Sequence, residues 1–216
     1  MKYIAPSILS ADFARLYEEI KETEKQGIRY LHVDVMDGLF VPSISFGMPV
    51  IRSIRKCTDM FFDTHLMIQD PERYIKDFAD AGADGITIHA EAAKDIRGTV
   101  DKIHALGKKA GIAVDPETDP HILKSYADIA DLFLVMTVHP GFGGQKMIRE
   151  CLDKIDYLNE LRRSSGRDFL IEADGGIKVS NIREVSDRGC DIMVAGSAVY
   201  GGSIEENIRN LSEVIS

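Results

Sequence analysis

Short apolar runs alternate with amphipathic stretches along the chain. Runs at 3–8, 30–35, 61–67, 85–89, 110–114, 132–138, 169–173 and 191–195 have the length of buried strands and are too short for helices. Between them, apolar residues recur at three- and four-residue spacing, which lines one face of a helix. Phe13, Leu16 and Ile20 form one such stripe; Tyr74, Phe78 and Ala81 form another, and Ile96, Val100 and Ile103 a third. Ile204, Ile208, Leu211 and Ile215 form the last. The punctuation agrees. Asp70-Pro71 reads as an N-cap with proline in the first turn, and Ser203 with Glu206 as a capping box. Gly27, Gly82, Gly107, Gly166 and Gly189 each follow a helical stretch and precede a strand, where a helix end favours a left-handed residue.

Strands alternating with helices predict parallel pairing through right-handed crossovers. Eight such units close into a (β/α)8 TIM barrel, an α/β fold formed by one domain spanning residues 1–216. Barrels of this kind typically need ~250 residues, so the loops here must be short. An open doubly wound sheet would want a Gly-x-Gly-x-x-Gly turn after its first strand; the residues after Ile8 read Leu-Ser-Ala-Asp instead.

Composition narrows the partners. A formal net charge of -9 repels polyanions and argues against nucleic acid as a ligand. A small phosphorylated metabolite is still admitted, because a site can be locally positive inside an acidic protein. Cys57, Cys151 and Cys190 are far apart and odd in number, which indicates neither a disulfide framework nor a structural zinc cluster. No apolar run approaches the ~20 residues of a membrane helix. Met-Lys-Tyr-Ile-Ala-Pro-Ser at the start reads as a strand rather than a targeting segment. A cytoplasmic protein without membrane contact is expected, and a homo-oligomer is compatible with this picture.

A barrel carries its chemistry at the C-terminal ends of its strands. The second strand runs into His32-Val33-Asp34-Val35-Met36-Asp37-Gly38. Alternation puts His32, Asp34 and Met36 on one face and the two valines on the other, against the helices. The third strand ends Asp63-Thr64-His65-Leu66-Met67 and the seventh Glu172-Ala173-Asp174-Gly175-Gly176. Two imidazoles and two carboxylates can thus converge at the mouth, a sound shell for Zn2+, Fe2+, Mn2+ or Co2+. Satisfied core histidines and capping aspartates would account for the same residues, and spacing alone does not choose. Glycine-rich turns follow the last three strands: Gly141-Phe142-Gly143-Gly144, Gly175-Gly176 and Gly196-Ser197. Such turns let backbone N–H groups approach a phosphate, although tight βα connections also use glycine.

The combined motifs resemble ribulose-phosphate 3-epimerases. The similarity is carried by Ile4 through Phe13 (IAPSILSADF), His32 through Phe40 (HVDVMDGLF), His65-Leu66-Met67, Pro140 through Gln145 (PGFGGQ), Asp174-Gly175-Gly176 and Ala195 through Val199 (AGSAV), in order over almost the whole chain. The resemblance implies a barrel of the ribulose-phosphate-binding type and a ketose phosphate as substrate. It implies metal ligation by His32, Asp34, His65 and Asp174, with Asp34 and Asp174 as the acid–base pair that epimerises C3 through a metal-stabilised enediolate. It further implies substrate contacts from Ser7 and His65. Met36, Met67 and Met136 would surround the reacting carbons, with Gly141, Phe142, Gly143, Gly144, Gly175, Gly176, Gly196 and Ser197 around the phosphate.

The chain departs from the family pattern in places. Ser43 follows Val41-Pro42 where asparagine is usual. The fifth strand ends in Asp115-Pro116-Glu117-Thr118-Asp119 where Asn-Pro-x-Thr-Pro is usual. His139 precedes the Pro-Gly-Phe-Gly-Gly turn. None of these is one of the four metal positions, but they keep an allulose-6-phosphate 3-epimerase in play. His89 reads as a residue behind the metal shell or as plain packing, while His104 and His121 read as solvated. A decarboxylating lyase of the same barrel type would want an Asp-x-Lys-x-x-Asp strand, and Met36 occupies the lysine position. A Schiff-base aldolase needs a lysine at a strand end, and Lys178 lies beyond the Gly-Gly turn. A non-catalytic sugar-phosphate binder would not need both aspartates.

Overall fold

The computed structural model describes residues 2–215, so Met1 and Ser216, the ends of the expected domain, lie outside the described residues. Eight strands form one sheet: β1 (Tyr3–Pro6), β2 (Tyr30–Met36), β3 (Phe61–Met67), β4 (Gly85–His89), β5 (Lys109–Val114), β6 (Leu132–Met136), β7 (Leu170–Asp174) and β8 (Ile192–Ala195). Every ladder is parallel and the order is β1-β8-β7-β6-β5-β4-β3-β2. A parallel bridge between Ser7 and His32 joins β1 to β2 and closes the seam. The expected barrel forms.

Helices α1 (Leu16–Lys25), α2 (Met48–Arg55), α3 (Ile75–Ala81), α4 (Ile96–Ala105), α5 (Leu152–Ser165), α6 (Ile182–Asp187), α7 (Ser197–Tyr200) and α8 (Ile204–Ile215) alternate with the strands. After β5 a 3-10 segment, Pro120–Tyr126, takes the place of a helix. The five glycines that follow helical stretches all have positive φ, and Ser203 Oγ accepts the Glu206 N–H as the capping box requires.

Three local expectations fail for identifiable reasons. Asp70 stands at the N-cap position with Pro71 in the first turn of a 3-10 segment, as expected, but it is left-handed (φ 50°, ψ 55°) and makes no capping bond; its carboxylate meets Lys94 Nζ at 2.8 Å instead. A side chain caps from an extended backbone, which this conformation denies it. Phe13 lies outside the helical stripe, 52% exposed in a 3-10 turn and edge-on to Phe46. β1 stops at Pro6 rather than Ile8, because Ser7 caps the following turn by accepting the Leu9 N–H.

The main core lies between barrel and helices and includes Val33, Val35, Phe62, Leu66, Phe133 and Ile171, all buried. Phe133 is fully buried and edge-to-face with Phe169, ring centroids 4.8 Å apart. Phe133→Ala is expected to cost about 3–5 kcal/mol, the usual loss for a buried phenyl, read as a lower urea midpoint at unchanged slope.

Inside the barrel the lining divides. Ala5, Ala113, Leu134, Met136, Ile192 and Val194, from β1, β5, β6 and β8, pack as an apolar half. The strands β2, β3, β4 and β7 instead supply His32, Asp34, Asp63, His65, His89 and Glu172, all buried. Parallel register puts His32 beside Asp63, Asp34 beside His65, and Met136 beside Asp174.

Candidate active site

Buried charge must be compensated, and the polar half of the barrel shows how. In the tier nearest the mouth, Asp34 Oδ1 lies 3.2 Å from His32 Nε2 and 3.1 Å from His65 Nδ1. Asp174 reaches in from β7, its Oδ2 3.9 Å from His32 Nε2 and 3.8 Å from His65 Nδ1. Ser7 Oγ donates to Asp34 Oδ2 at 2.5 Å. One tier down, His32 Nδ1 is 2.7 Å from Asp63 Oδ2 and 3.4 Å from Glu172 Oε1. To the side, His65 Nε2 meets His89 Nε2 at 2.8 Å.

The two aspartates of the upper tier are held in opposite states. Burial alone would raise the Asp34 carboxyl, but His32 and His65 beside it hold it far below the usual carboxylate range. Burial pushes Asp174 up, and the negative charge of Asp34 adds to this, to about 7. His32 is raised well above its ordinary value despite burial, because Asp34 and Asp63 flank it. Burial depresses His65 to about 4, with its histidine neighbours opposing charge further. Glu172 is pushed well up by burial and by the Asp63 carboxylate, which stays an anion despite its own burial because His32 and Glu172 face it.

His32, Asp34, His65 and Asp174 each present a ligand atom within 4.8 Å of the others. His32 Nε2 is buried without a hydrogen-bond partner, an uncompensated atom that a cation would satisfy once the nitrogen is deprotonated. This nitrogen–oxygen donor set suits a borderline divalent cation. Asp63 fits beneath it as the carboxylate that takes the His32 Nδ1 proton and leaves Nε2 facing the cluster.

Except for His65, every residue expected to touch substrate lines one cleft at the mouth. Ser7, Asp34, Met36, Met67, Met136 and Asp174 share it with Gly141, Phe142, Gly143, Gly144, Gly175, Gly176, Gly196 and Ser197. His65 is fully buried below. The glycine turns are sterically committed: a Cβ on Gly176 (φ +65°) would fall 2.4 Å from Met147 N, and one on Gly196 2.5 Å from Ser10 Oγ. Ser10 and Gln145 were missed as lining residues; Gln145 Nε2 ties its turn by donating to the His139 and Phe142 carbonyls. Asp63 and Glu172 were missed as partners of His32, though the alternation that placed His32 and Asp174 inside places both there too.

The departures separate in space. His139 is exposed and pairs with Glu117, and Ser43 accepts the Gly38 N–H through its carbonyl. Asp115 reaches the site indirectly, 3.1 Å from His89 Nδ1. His121 is exposed against Asp119, and His104 is partly exposed against Asp131. Among the described residues no helix is long and apolar enough to cross a membrane.

The chain is similar in sequence to known proteins. The model of the ribulose-phosphate 3 epimerase family matches residues 3–200. A ribulose-phosphate 3-epimerase of Bacillus subtilis (strain 168) is 47% identical over 212 residues, 98% of this chain and 97% of that protein. One from Aquifex aeolicus (strain VF5) is 42% identical over 216 residues, 100% and 97% of the two chains. The crystal structure of a 3-hexulose-6-phosphate synthase superposes over all of both chains with a TM-score of 0.73 at 20% identity, a likeness of fold alone. With a family model and full-length relatives in accord, the chain belongs to the ribulose-phosphate 3-epimerase family and is an isomerase.

Proposed function

We propose that this chain interconverts D-ribulose 5-phosphate and D-xylulose 5-phosphate by moving a proton at C3. The observation that carries the reading is the pair of cleft-lining carboxylates with opposite proton preference, Asp34 an anion and Asp174 near 7. C3 stands next to the C2 carbonyl, so its proton is acid enough to be taken by a positioned carboxylate. Inversion then needs a proton delivered to the opposite face, and two carboxylates do this more readily than one. β2 and β7 are not adjacent in the ring, so Asp34 and Asp174 approach a substrate between them from different sides. In one direction Asp34 takes the proton and protonated Asp174 supplies its own; in the other the roles exchange. Ser7 holds Asp34 through Oδ2 and leaves Oδ1 toward the cluster.

His32, Asp34, His65 and Asp174 would hold a divalent cation, one of Zn2+, Fe2+, Mn2+ or Co2+, which when bound supplies Lewis-acid polarisation of a substrate oxygen. Met36, Met67 and Met136 give the reacting carbons a polarizable apolar wall. The glycine turns bring main chain close to the phosphate. Gly176→Ala, which forces its new methyl against the 145–147 backbone, is expected to raise KM for the sugar phosphate about tenfold (~1.4 kcal/mol) with little change in kcat, in steady-state kinetics.

The deciding test is proton NMR of ribulose 5-phosphate with the purified protein in D2O. Loss of the C3 proton signal together with appearance of xylulose 5-phosphate is expected. A silent C3 would leave a binder, and decarboxylation would indicate a lyase. Parallel kinetics with allulose 6-phosphate should favour the five-carbon sugar; the reverse order would assign the six-carbon one.

A further inference from the structure

The geometry points to Asp115 as a positioning residue that sets which nitrogen of His65 is bare. This rests on the reading that His65 offers Nδ1 to a cation. The Asp115 backbone is held from both sides. Glu91 Oε1 accepts the Asp115 N–H at 2.9 Å and also the Thr118 hydroxyl. Buried Lys154 donates to the Asp115 and Thr118 carbonyls at 2.7 and 2.6 Å. Asp115 Oδ1 then sits 3.1 Å from His89 Nδ1, with Glu91 Oε2 at 3.4 Å. Neither His89 Nδ1 nor Asp115 Oδ1 has an aligned hydrogen-bond partner, so the close approach of each to the other is its main compensation.

The same three side chains could instead be read as a second cation site, since their ligand atoms lie within 4.8 Å of one another. Counting protons decides against it. The His65 Nε2 and His89 Nε2 atoms are 2.8 Å apart, so one of them must donate. Two neutral imidazoles have one N–H each. When His65 Nδ1 is bare, its proton is on Nε2 and points at His89 Nε2. The His89 proton is then on Nδ1, facing Asp115 and Glu91. A cation on His89 Nδ1 would reverse both tautomers and place a proton on His65 Nδ1, toward Asp34. The two cation sites therefore exclude each other, and a carboxylate at 115 favours the arrangement with His65 Nδ1 bare. Carboxylates behind a ligating histidine change cation affinity by about 10- to 100-fold.

The test reads tautomers and metal affinity rather than turnover. Ring 15N NMR of the whole protein with one equivalent of Zn2+ should show His89 protonated at Nδ1 and His65 at Nε2. Chelator competition should give Asp115→Ala a Zn2+ affinity about 10- to 100-fold below wild type. Asp115→Asn, which keeps an acceptor oxygen, should restore most of it. A His89 proton on Nε2, or unchanged affinity in Asp115→Ala, would overturn the assignment. So would a second bound Zn2+ lost in Asp115→Ala while the first is retained. Failure of the wild type to bind any Zn2+ would sink the cation reading and the assignment with it, an outcome distinct from an affinity that Asp115→Ala leaves unchanged.

Discussion

Asp174→Asn is expected to lose epimerisation by about 100- to 10,000-fold in kcat, the usual contribution of a positioned acid or base, while the circular dichroism stays that of the folded barrel. Asp34→Asn should do the same. The amide is nearly isosteric, and neither aspartate belongs to the apolar layer that holds the barrel against its helices. Loss of rate alone is ambiguous, because both residues also face the proposed cation position. Exchange resolves it. With Asp174 replaced, Asp34 still faces one side of the substrate. One C3 epimer should therefore exchange its proton with D2O without inverting, and the other should stay inert. In Asp34→Asn the labile epimer should be the opposite one. If each variant has merely lost the cation, neither epimer exchanges. Wild-type-like epimerisation in either variant would reject the two-carboxylate scheme outright.

This pairing of roles was legible in the sequence only to a point. Alternation along the second strand put His32 and Asp34 inside, and the structure places them there at the register that brings Asp34 beside His65. Alternation says which face, not how far a side chain reaches across a barrel. The meeting of Asp174 with Asp34 depends on closure of the ring, which no local pattern encodes. The same limit hid the lower tier. Alternation puts Asp63 and Glu172 on the same faces as His65 and Asp174, and only the distances across the barrel show that they stand under His32. Asp70 failed for a different reason. Asp-Pro marks the start of the 3-10 turn at Pro71 correctly, but the left-handed backbone of Asp70 keeps its side chain from capping it. Asp115 read only as a departure outside the four metal positions, three strands along from Asp34, yet β4 carries its neighbour His89 to His65.

The cluster also dictates how a cation should compete with protons. In the cation-free protein the upper tier balances its charge with protons: His32 is raised well above 6.5, and Asp174 titrates at about 7. The proton on His32 Nε2 must leave for that nitrogen to act as a ligand, and a cation also weakens the hold of Asp174 on its proton, so cation affinity should climb as pH rises through 7. Stability without a cation runs the other way. Asp174 is harder to ionise folded than unfolded, so its contribution is full below the ordinary carboxylate value of 3.8 and is lost as pH rises toward about 7. His32 is easier to protonate folded than unfolded, so its contribution is full below 6.5 and is lost above that. Chelator-treated protein should accordingly melt lower at pH 8 than at pH 6. At a fixed Zn2+ concentration of ~1,000 times the Kd at pH 8, binding adds about 4 kcal/mol there, and the rise in Tm should be smaller at pH 6, where the affinity is lower. Activity should vanish on rigorous chelation and return with Zn2+, Co2+, Mn2+ or Fe2+. Full turnover in the stripped protein would contradict cation dependence. A Zn2+-induced rise in Tm that shrinks from pH 6 to pH 8 would show that His32 and Asp174 are not the groups giving up protons to the ion.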